Sequence, residues 1–212
     1  MKVTRIVLVI LVSIFPLALA AQSNEIGVFL SQPHMQSESL SIDPGITASI
    51  EFDGDLGFGA EYNRFWTDHF STEFALSRLK AGTTFTLSAP GVSESFDAGD
   101  VELTTLSGIA QWHFTGGSRF APYVGAGLVY VSGDAETTED PTDPTAPTSN
   151  VDLESETSVI VNAGLDIRVS PKVSLALDVR YFSYDANEEG DPDAESLGLD
   201  TFVYSAGVKF RF

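Results

Sequence analysis

The most constraining feature of this sequence is a set of eight segments in which apolar and polar side chains alternate. Such alternation predicts β-strands, because successive side chains of a strand point to opposite faces. Each segment is long enough to cross a hydrocarbon core as a tilted strand, which takes about 9 to 11 residues. The segments are residues 24–32, 55–65, 70–80, 101–114, 121–132, 154–167, 173–184 and 199–212.

The connections between these segments alternate in length along the chain, so that short turns and long loops follow each other regularly. An even-numbered transmembrane barrel has this layout, with tight periplasmic turns and longer outer loops. We therefore predict an all-β fold, an eight-stranded antiparallel up-and-down transmembrane β-barrel. The predicted turns are residues 66–69, 115–120 and 168–172, and the predicted loops are residues 33–54, 81–100, 133–153 and 185–198.

The last segment indicates which face of each strand meets lipid. From Phe202 to Phe212 one face carries aromatic and aliphatic side chains, and the other carries Lys209 and Arg211. A water-soluble, lipocalin-like barrel uses the same alternation with its apolar face inside, so alternation alone leaves both orientations open. The polar faces, however, carry charges of both signs, as expected of a mutually neutralising interior. We therefore predict that the apolar faces meet lipid and that the polar faces line the lumen.

Inward-facing charges are predicted to meet inside the barrel, since eight strands close to a diameter that side chains can fill. The hypothesis is an ion-paired network, and a wide open pore is not expected. The alternative is that lumenal water hydrates each charged group individually. The acidic members are Glu61, Glu73, Asp166 and Asp178, and the basic members are Arg180, Lys209 and Arg211.

Aromatic side chains gather near the ends of the predicted strands. Trp66 and Trp112 fall at the turn end, and Tyr130, Tyr181 and Phe202 fall at the loop end. Transmembrane barrels carry such girdles where their outer surface meets the two membrane interfaces. We therefore predict these five residues to be membrane-interface aromatics.

Residues 1–20 differ in character from the rest of the chain. Lys2 and Arg5 precede an apolar run that ends in small residues at Ala18 and Ala20, which is typical of a secretory signal peptide. The run is shorter than the roughly 20 apolar residues of a spanning helix, and an uncleaved anchor is the alternative. We expect residues 1–20 to be a signal peptide and residues 21–212 to form the barrel domain.

The last eight residues resemble the terminal signal of Gram-negative outer-membrane barrels. The polar Ser205 is followed two residues later by Gly207, and aromatic residues stand at the third-last and final positions, Phe210 and Phe212. The resemblance implies that the barrel assembly machinery recognises this strand. It implies the bacterial outer membrane as the location, with both termini in the periplasm and long acidic loops outside the cell.

Three longer stretches resemble the OmpW family of small outer-membrane barrels. They are LGFGAEYNRFWTDHFSTEFAL at 56–76, APYVGAGLVY at 121–130 and DVRYF at 178–182, followed by the closing GVKFRF. The resemblance implies a narrow channel or carrier for small hydrophobic molecules, with sideways release into the membrane as one route. The implied partners are outer-membrane lipids, lipopolysaccharide and small hydrophobic solutes. The charged lumen and the proline-rich third outer loop depart from the family's pattern.

Each of these short motifs also recurs in OmpA-like and OmpX-like barrels. A structural or adhesive barrel with a plugged lumen, acting through its acidic outer loops, is therefore the alternative function. The two functions share one fold and differ in whether the lumen is continuous.

The acidic balance of the chain excludes several classes of function. It has 30 acidic and 11 basic side chains, for a formal charge of −19, and such a surface repels nucleic-acid phosphates. The chain has no cysteine, which excludes disulfides and thiolate chemistry. The acidic loops match no calcium-loop spacing, so we predict neither a metal site nor a cofactor. Arg78 and Lys80 are candidates to meet lipopolysaccharide phosphates.

A lipid A-modifying enzyme is a remote alternative. A hydrolase of that kind on an eight-stranded barrel needs a histidine beside its serine at the outer rim. The histidines are His34, His69 and His113, and of these His34 falls nearest to the predicted rim. Because no serine-histidine pairing is evident beside His34, we predict that the protein is not an enzyme.

Overall fold

The computed structural model describes residues 23–36, 38–43, 46–115, 118–138, 148–186 and 197–212, so the predicted signal peptide lies outside the described residues. Within these ranges the chain forms ten strands. No helix in the same ranges is long and apolar enough to cross a membrane. The strands are β1 (Asn24–Met35), β2 (Glu38–Asp43), β3 (Ile46–Gly54), β4 (Gly57–Phe65), β5 (Phe70–Ala89), β6 (Val92–His113), β7 (Phe120–Thr138), β8 (Thr148–Arg168), β9 (Val173–Ala186) and β10 (Leu197–Arg211).

Eight of these strands close into an antiparallel barrel. Strands β4 to β10 pair each with the next, β4 also pairs with β1, and β1 pairs with β10 to complete the circle. Ser31 of β1 lies opposite Ser205 of β10 in the closing register. The predicted eight-stranded up-and-down barrel is confirmed, with each predicted segment lying on one barrel strand.

The barrel has two distinct ends. Three short connections, 66–69, 114–119 and 169–172, lie at the end where the backbones of Asn24 and Phe212 also pair. We call this the turn end, and we call the opposite end the loop end.

Much of what the sequence predicted as loop is in fact strand. The predicted loop 81–100 continues β5 and β6 as a paired hairpin, which turns through Pro90 and Gly91. Gly91 has a φ of 86°, which the second central residue of a type II turn requires and glycine adopts without a steric penalty. β5 therefore spans 20 residues, about twice the 9 to 11 that a bilayer crossing needs.

Two other predicted loops are corrected in the same way, whereas most of the predicted loop 185–198 lies outside the described residues. The loop 33–54 contains β2 and β3, and β3 continues the line of β4 along the upper part of β5. The loop 133–153 is largely taken up by extensions of β7 and β8. Sequence alternation is weak here because a strand outside the bilayer needs no apolar outer face. Hydroxyl pairs such as Thr86 with Ser95 link the extended strands instead.

Lipid-facing and inward-facing side chains alternate along the membrane part of each strand. The outward residues Leu128 and Val159 are 59% and 63% exposed, whereas the inward Arg180 and Lys209 are 6% and 2% exposed. An apolar outer surface around a polar core is stable only when the outer surface faces lipid. The prediction of apolar faces outside therefore agrees with the structure.

A charge on the lipid-facing side tests this orientation. Leu177 is 51% exposed and lies midway along the lipid-facing part of β9. Leu177→Arg should lower the free energy of unfolding by about 2–4 kcal/mol, the usual cost of an arginine at the bilayer midplane. Val92→Arg, at the exposed tip of β6, is the control and should change it by less than about 0.5 kcal/mol. Urea titration in lipid vesicles measures both, and equal effects would contradict the proposed position of the bilayer.

Candidate functional site in the barrel interior

Arg180 is the centre of the barrel interior. It points inward because it alternates on β9 with the lipid-facing Val179. Its guanidinium group contacts three carboxylates at once: Asp178 at 2.6 Å, Glu73 at 2.9 Å and Glu61 at 3.2 Å. All four side chains are almost fully buried. The structure thus brings together four of the seven charges that the sequence analysis singled out.

Lys209 forms a second centre on β10. Its ammonium group lies 3.0 Å from a Glu61 oxygen and 3.1 Å from Asp166, so Glu61 links the two cations. The third predicted cation, Arg211, lies nearer the turn end and pairs at 2.6 Å with Glu25. Glu25 is therefore the partner of Arg211 in place of the four acids that were predicted. We call the five carboxylates and three cations together the ion network.

Neutral polar side chains complete the ion network. The Tyr123 hydroxyl donates a hydrogen bond to Asp178 at 2.8 Å, and the Asn162 amide donates to the same oxygen at 3.1 Å. Gln111 donates to Glu73 at 2.8 Å and accepts from the Asn63 amide at 2.8 Å. These four residues were missed by the sequence analysis. Their position in the alternation along each strand could have identified them, since each lies on the same inward face as the predicted charges.

Glycines make room for two aromatic rings among these charges. A Cβ atom at Gly164 would lie 2.4 Å from the Tyr123 ring, and one at Gly59 would lie 2.4 Å from the Phe29 ring. Both rings therefore lie directly across a neighbouring strand that has no side chain at that point. The Arg180 guanidinium stacks over the Phe29 ring at 5.1 Å, which adds a cation–π contact to its ion pairs.

Ser71 and His113 form a buried pair that the sequence analysis did not anticipate. The serine oxygen lies 2.9 Å from the His113 Nε2 atom and 3.3 Å from the side-chain oxygen of Gln111. The His113 ring packs against Phe65 and Tyr123. The pair lies inside the turn end, whereas the predicted candidate His34 lies on the exposed face of β1 toward the loop end.

The loop-end half of the interior is apolar, which corrects the prediction of a polar lumen throughout. Cross-strand hydroxyl pairs, Ser31 with Ser205 at 2.9 Å and Ser77 with Thr105 at 2.6 Å, separate it from the ion network. The side chains beyond them pack into one buried cluster, which we call the loop-end cluster. The loop-end cluster consists of Met35, Phe52, Leu79, Ala81, Val101, Leu103, Val129, Val131, Ile160, Phe182, Tyr184, Leu199 and Val203.

Sequence alternation could not reveal those parts of the loop-end cluster in which the outward side chains are apolar as well. In the run Val129, Tyr130 and Val131, for example, the two valines point inward and the tyrosine points outward. The contrast between faces that marks Asp178 or Lys209 as inward is absent from such a run.

Cavities in the ion network are small. A cavity of about 10 Å³ lies beside Phe29, Glu61 and Arg180, which is room for roughly one water molecule. A cavity of about 60 Å³ lies at the turn end and is lined by residues that include Glu25 and Arg211. These two cavities leave little space for hydrating each charge individually.

No group of three or more histidine or acidic side chains in the described ranges is arranged to hold a metal ion.

The predicted interface aromatics lie on the outer surface. Trp66 and Trp112 are half-exposed at the turn end. Toward the loop end, Tyr130 faces outward, and the Tyr181 and Phe202 rings pack 4.9 Å apart. Their position on the membrane-facing surface is compatible with two girdles.

The predicted assembly signal lies along the closing strand. Ser205 bonds to Ser31, and Gly207 lies against Phe29. Phe210 and Phe212 face outward at the turn end, and the Phe212 backbone pairs with that of Asn24. The residues of the predicted signal thus lie on the strand that forms the seam between first and last strand.

Comparison with protein families supplies the context for this interior. The model of the OmpW family matches residues 19–212. The chain belongs to the OmpW family. It is an outer-membrane β-barrel protein, and it lies in the membrane in contact with lipid. A comparison with curated proteins finds no significant match.

Solved structures share the fold at low sequence identity. The barrel is similar to OprG from Pseudomonas aeruginosa, with a TM-score of 0.62 and 16% identity over 91% of this chain and 96% of that one. It is similar to Neisserial surface protein A, with a TM-score of 0.57 and 17% identity over 89% and 97% of the chains. It is also similar to AlkL, solved in lipid bilayers, with a TM-score of 0.56 and 18% identity over 93% of this chain and 95% of that one.

The ion network predicts that removing a buried arginine lowers the free energy of unfolding far more than removing an exposed one. Arg180→Ala would leave three buried carboxylates without their shared cation, and we expect a loss of about 3–5 kcal/mol in the free energy of unfolding. Arg78→Ala, at an exposed ion pair on the outer surface, should leave the stability unchanged within error. Thermal unfolding in detergent compares the two.

A compensating variant sharpens the test. Arg180→Met combined with Glu73→Gln removes one charge of each sign and should recover part of the stability lost in Arg180→Met. If neither arginine variant changes the unfolding temperature, the charges are hydrated individually.

Proposed function

We propose that this outer-membrane barrel is a narrow carrier for small hydrophobic molecules, which bind within the loop-end cluster. The observation that carries the proposal is a buried apolar cluster, from Met35 on β1 to Val203 on β10, on the loop-end side of the ion network. An interior lined with aliphatic and aromatic side chains suits an apolar solute.

The proposed exit is sideways, because the ion network blocks a straight path to the turn end. β1 and β4 pair only as far as Ser31 and Gly57, and β1 continues beyond this point to Met35. Pro33 lies in that continuation and has no N–H to donate to a neighbouring strand. The wall beside the loop-end cluster thus has fewer ladder hydrogen bonds to break than the wall around the ion network.

We further propose that the turn end faces the periplasm and that the acidic loop end lies outside the cell. Short turns on the periplasmic side and longer outer extensions are the rule for such barrels. In this orientation the outer surface at the loop end contacts lipopolysaccharide, and the closing strand with Phe212 is the element that the barrel assembly machinery recognises.

A structural or adhesive role is the second candidate, and one observation favours it. On the outer face of the extended strands, Glu102, Asp134 and Asp152 lie directly opposite one another in successive register pairs. Like charges in this arrangement repel each other, so the row is a cost to stability. A row kept despite that cost is compatible with binding a cationic partner outside the cell.

Catalysis on lipid A remains the third and most distant proposal. It would place His34 at the outer rim, and substitution of His34 would then alter lipid A acylation in the host. We expect no such change.

Transport is tested with the purified barrel in vesicles that carry lipopolysaccharide in their outer leaflet. We expect a fluorescent alkyl probe to enter faster than in protein-free vesicles, while ionic conductance stays low because the ion network closes the lumen. Leu103→Gln should slow probe uptake about tenfold, since a buried amide without a partner costs roughly 1–3 kcal/mol. Leu87→Gln, on an exposed part of β5, is the matched control.

Absence of probe uptake by the folded protein would favour the structural or adhesive role. Equal uptake by Leu103→Gln and the parent protein would show that the solute does not pass through the loop-end cluster.

A further inference from the structure

In or beside each of the three short turns, a cation lies over an outward-facing aromatic ring. At the first turn the Arg64 guanidinium is 4.2 Å from the centre of the Trp66 ring. At the second, Arg119 lies 5.9 Å from the Phe120 ring. At the third, Lys172 lies 5.9 Å from the ring of Phe210 on the neighbouring strand β10. The same arrangement thus recurs at three positions around the barrel.

The aromatic partners fix the depth of these cations in the membrane. Trp66, Phe120 and Phe210 are 45%, 55% and 44% exposed on the lipid-facing surface. Aromatic rings at the ends of membrane strands lie at the level of the lipid headgroups. A cation stacked on such a ring therefore lies where lipid phosphates are found.

The outer surface at the loop end has the opposite character. Its cations Arg78 and Lys80 are each paired with an acidic side chain of β6, Arg78 with Glu102 and Lys80 with Asp100 at 2.9 Å. The next register partner of Glu102 is again acidic, Asp134. Carboxylates thus offset both cations here, so the two ends of the barrel differ in the charge that they present to lipid headgroups.

We propose that Arg64, Arg119 and Lys172 form a binding ring for the phosphates of anionic glycerophospholipids in the leaflet that surrounds the turn end. Each site combines a ring that packs against the upper acyl chain and glycerol with a cation that reaches the headgroup phosphate. The proposal rests on the barrel spanning a bilayer, which the family establishes, and does not depend on whether the barrel transports solutes.

The two tryptophans of the chain, Trp66 and Trp112, both lie at the turn end, so intrinsic fluorescence reports from this end alone. In a Trp112→Phe protein the remaining reporter, Trp66, lies beside Arg64. This protein is reconstituted into mixed vesicles in which either the phosphatidylglycerol or the phosphatidylcholine is brominated. The measured quantity is the quenching of Trp66 fluorescence by each brominated lipid. We expect it to show phosphatidylglycerol enriched over phosphatidylcholine beside Trp66 by roughly fivefold, the enrichment that one cation near an anionic surface produces.

Variants in the same background separate charge from packing. Arg64→Gln should bring the ratio of phosphatidylglycerol to phosphatidylcholine beside Trp66 close to one. Arg64→Lys should retain most of the preference for phosphatidylglycerol because the charge remains. The double variant R78Q/K80Q, at the loop end, should leave the preference unchanged. Salt at about 1 M should reduce it, because the screening length falls to about 3 Å. Heat-dependent gel mobility verifies that each variant is folded.

Three outcomes would overturn the proposal. Equal quenching by the two lipids in the parent protein would show that the site at Arg64 has no preference for anionic headgroups. A preference that persists in Arg64→Gln would assign it to another group. Loss of the preference with inorganic phosphate, but not with sodium chloride of equal ionic strength, would indicate a site for free phosphate instead of a lipid site.

Discussion

Closure of the strand circle is the constraint on which the rest of this structure depends. In hydrocarbon each backbone N–H and C=O group must find a partner within the protein, and a strand with an open edge leaves a row of them unpaired. The pairing of β1 with β10 removes that edge. It also places the two ends of the chain side by side, where the backbones of Asn24 and Phe212 exchange hydrogen bonds. The turn end, the loop end and the narrow interior all follow from this single pairing.

A circle of eight strands leaves an interior about as wide as two facing side chains, so inward residues must be compatible with one another. The chain meets this requirement in two different ways. Near the turn end, Arg180 and Lys209 are each shared among several carboxylates, and a buried charge is tolerable only when it is paired in this manner. Near the loop end, aliphatic and aromatic groups fill the same space. The boundary between the halves separates the ion network from the proposed binding region.

Charge is distributed as unevenly along the outer surface as along the lumen. Cations lie over aromatic rings at the turn end, and carboxylates dominate the extended strands at the loop end. In the proposed orientation the two surfaces meet different surroundings, one a lipid headgroup layer and the other the aqueous exterior beyond the membrane. The sequence already contains both sets of residues, but their separation into two ends becomes visible only when the strands are aligned in register.

Alternation determined which residues share a face, because a period of two reflects the geometry of any single strand. Together with the regular order of short and long connections it determined the barrel class and the number of barrel strands. The charges of both signs on the polar faces then decided that residues such as Arg180 point inward and residues such as Val179 point outward. The extensions beyond the bilayer were missed, since strands in water need no apolar outer face. Only the tertiary structure decided that Glu25 pairs with Arg211, that Asn63 and Gln111 support Glu73, and that Leu103 and Val203 belong to one apolar cluster. These contacts depend on the stagger between strands and on the closing register, which join residues far apart in sequence and leave no periodic trace within any one strand.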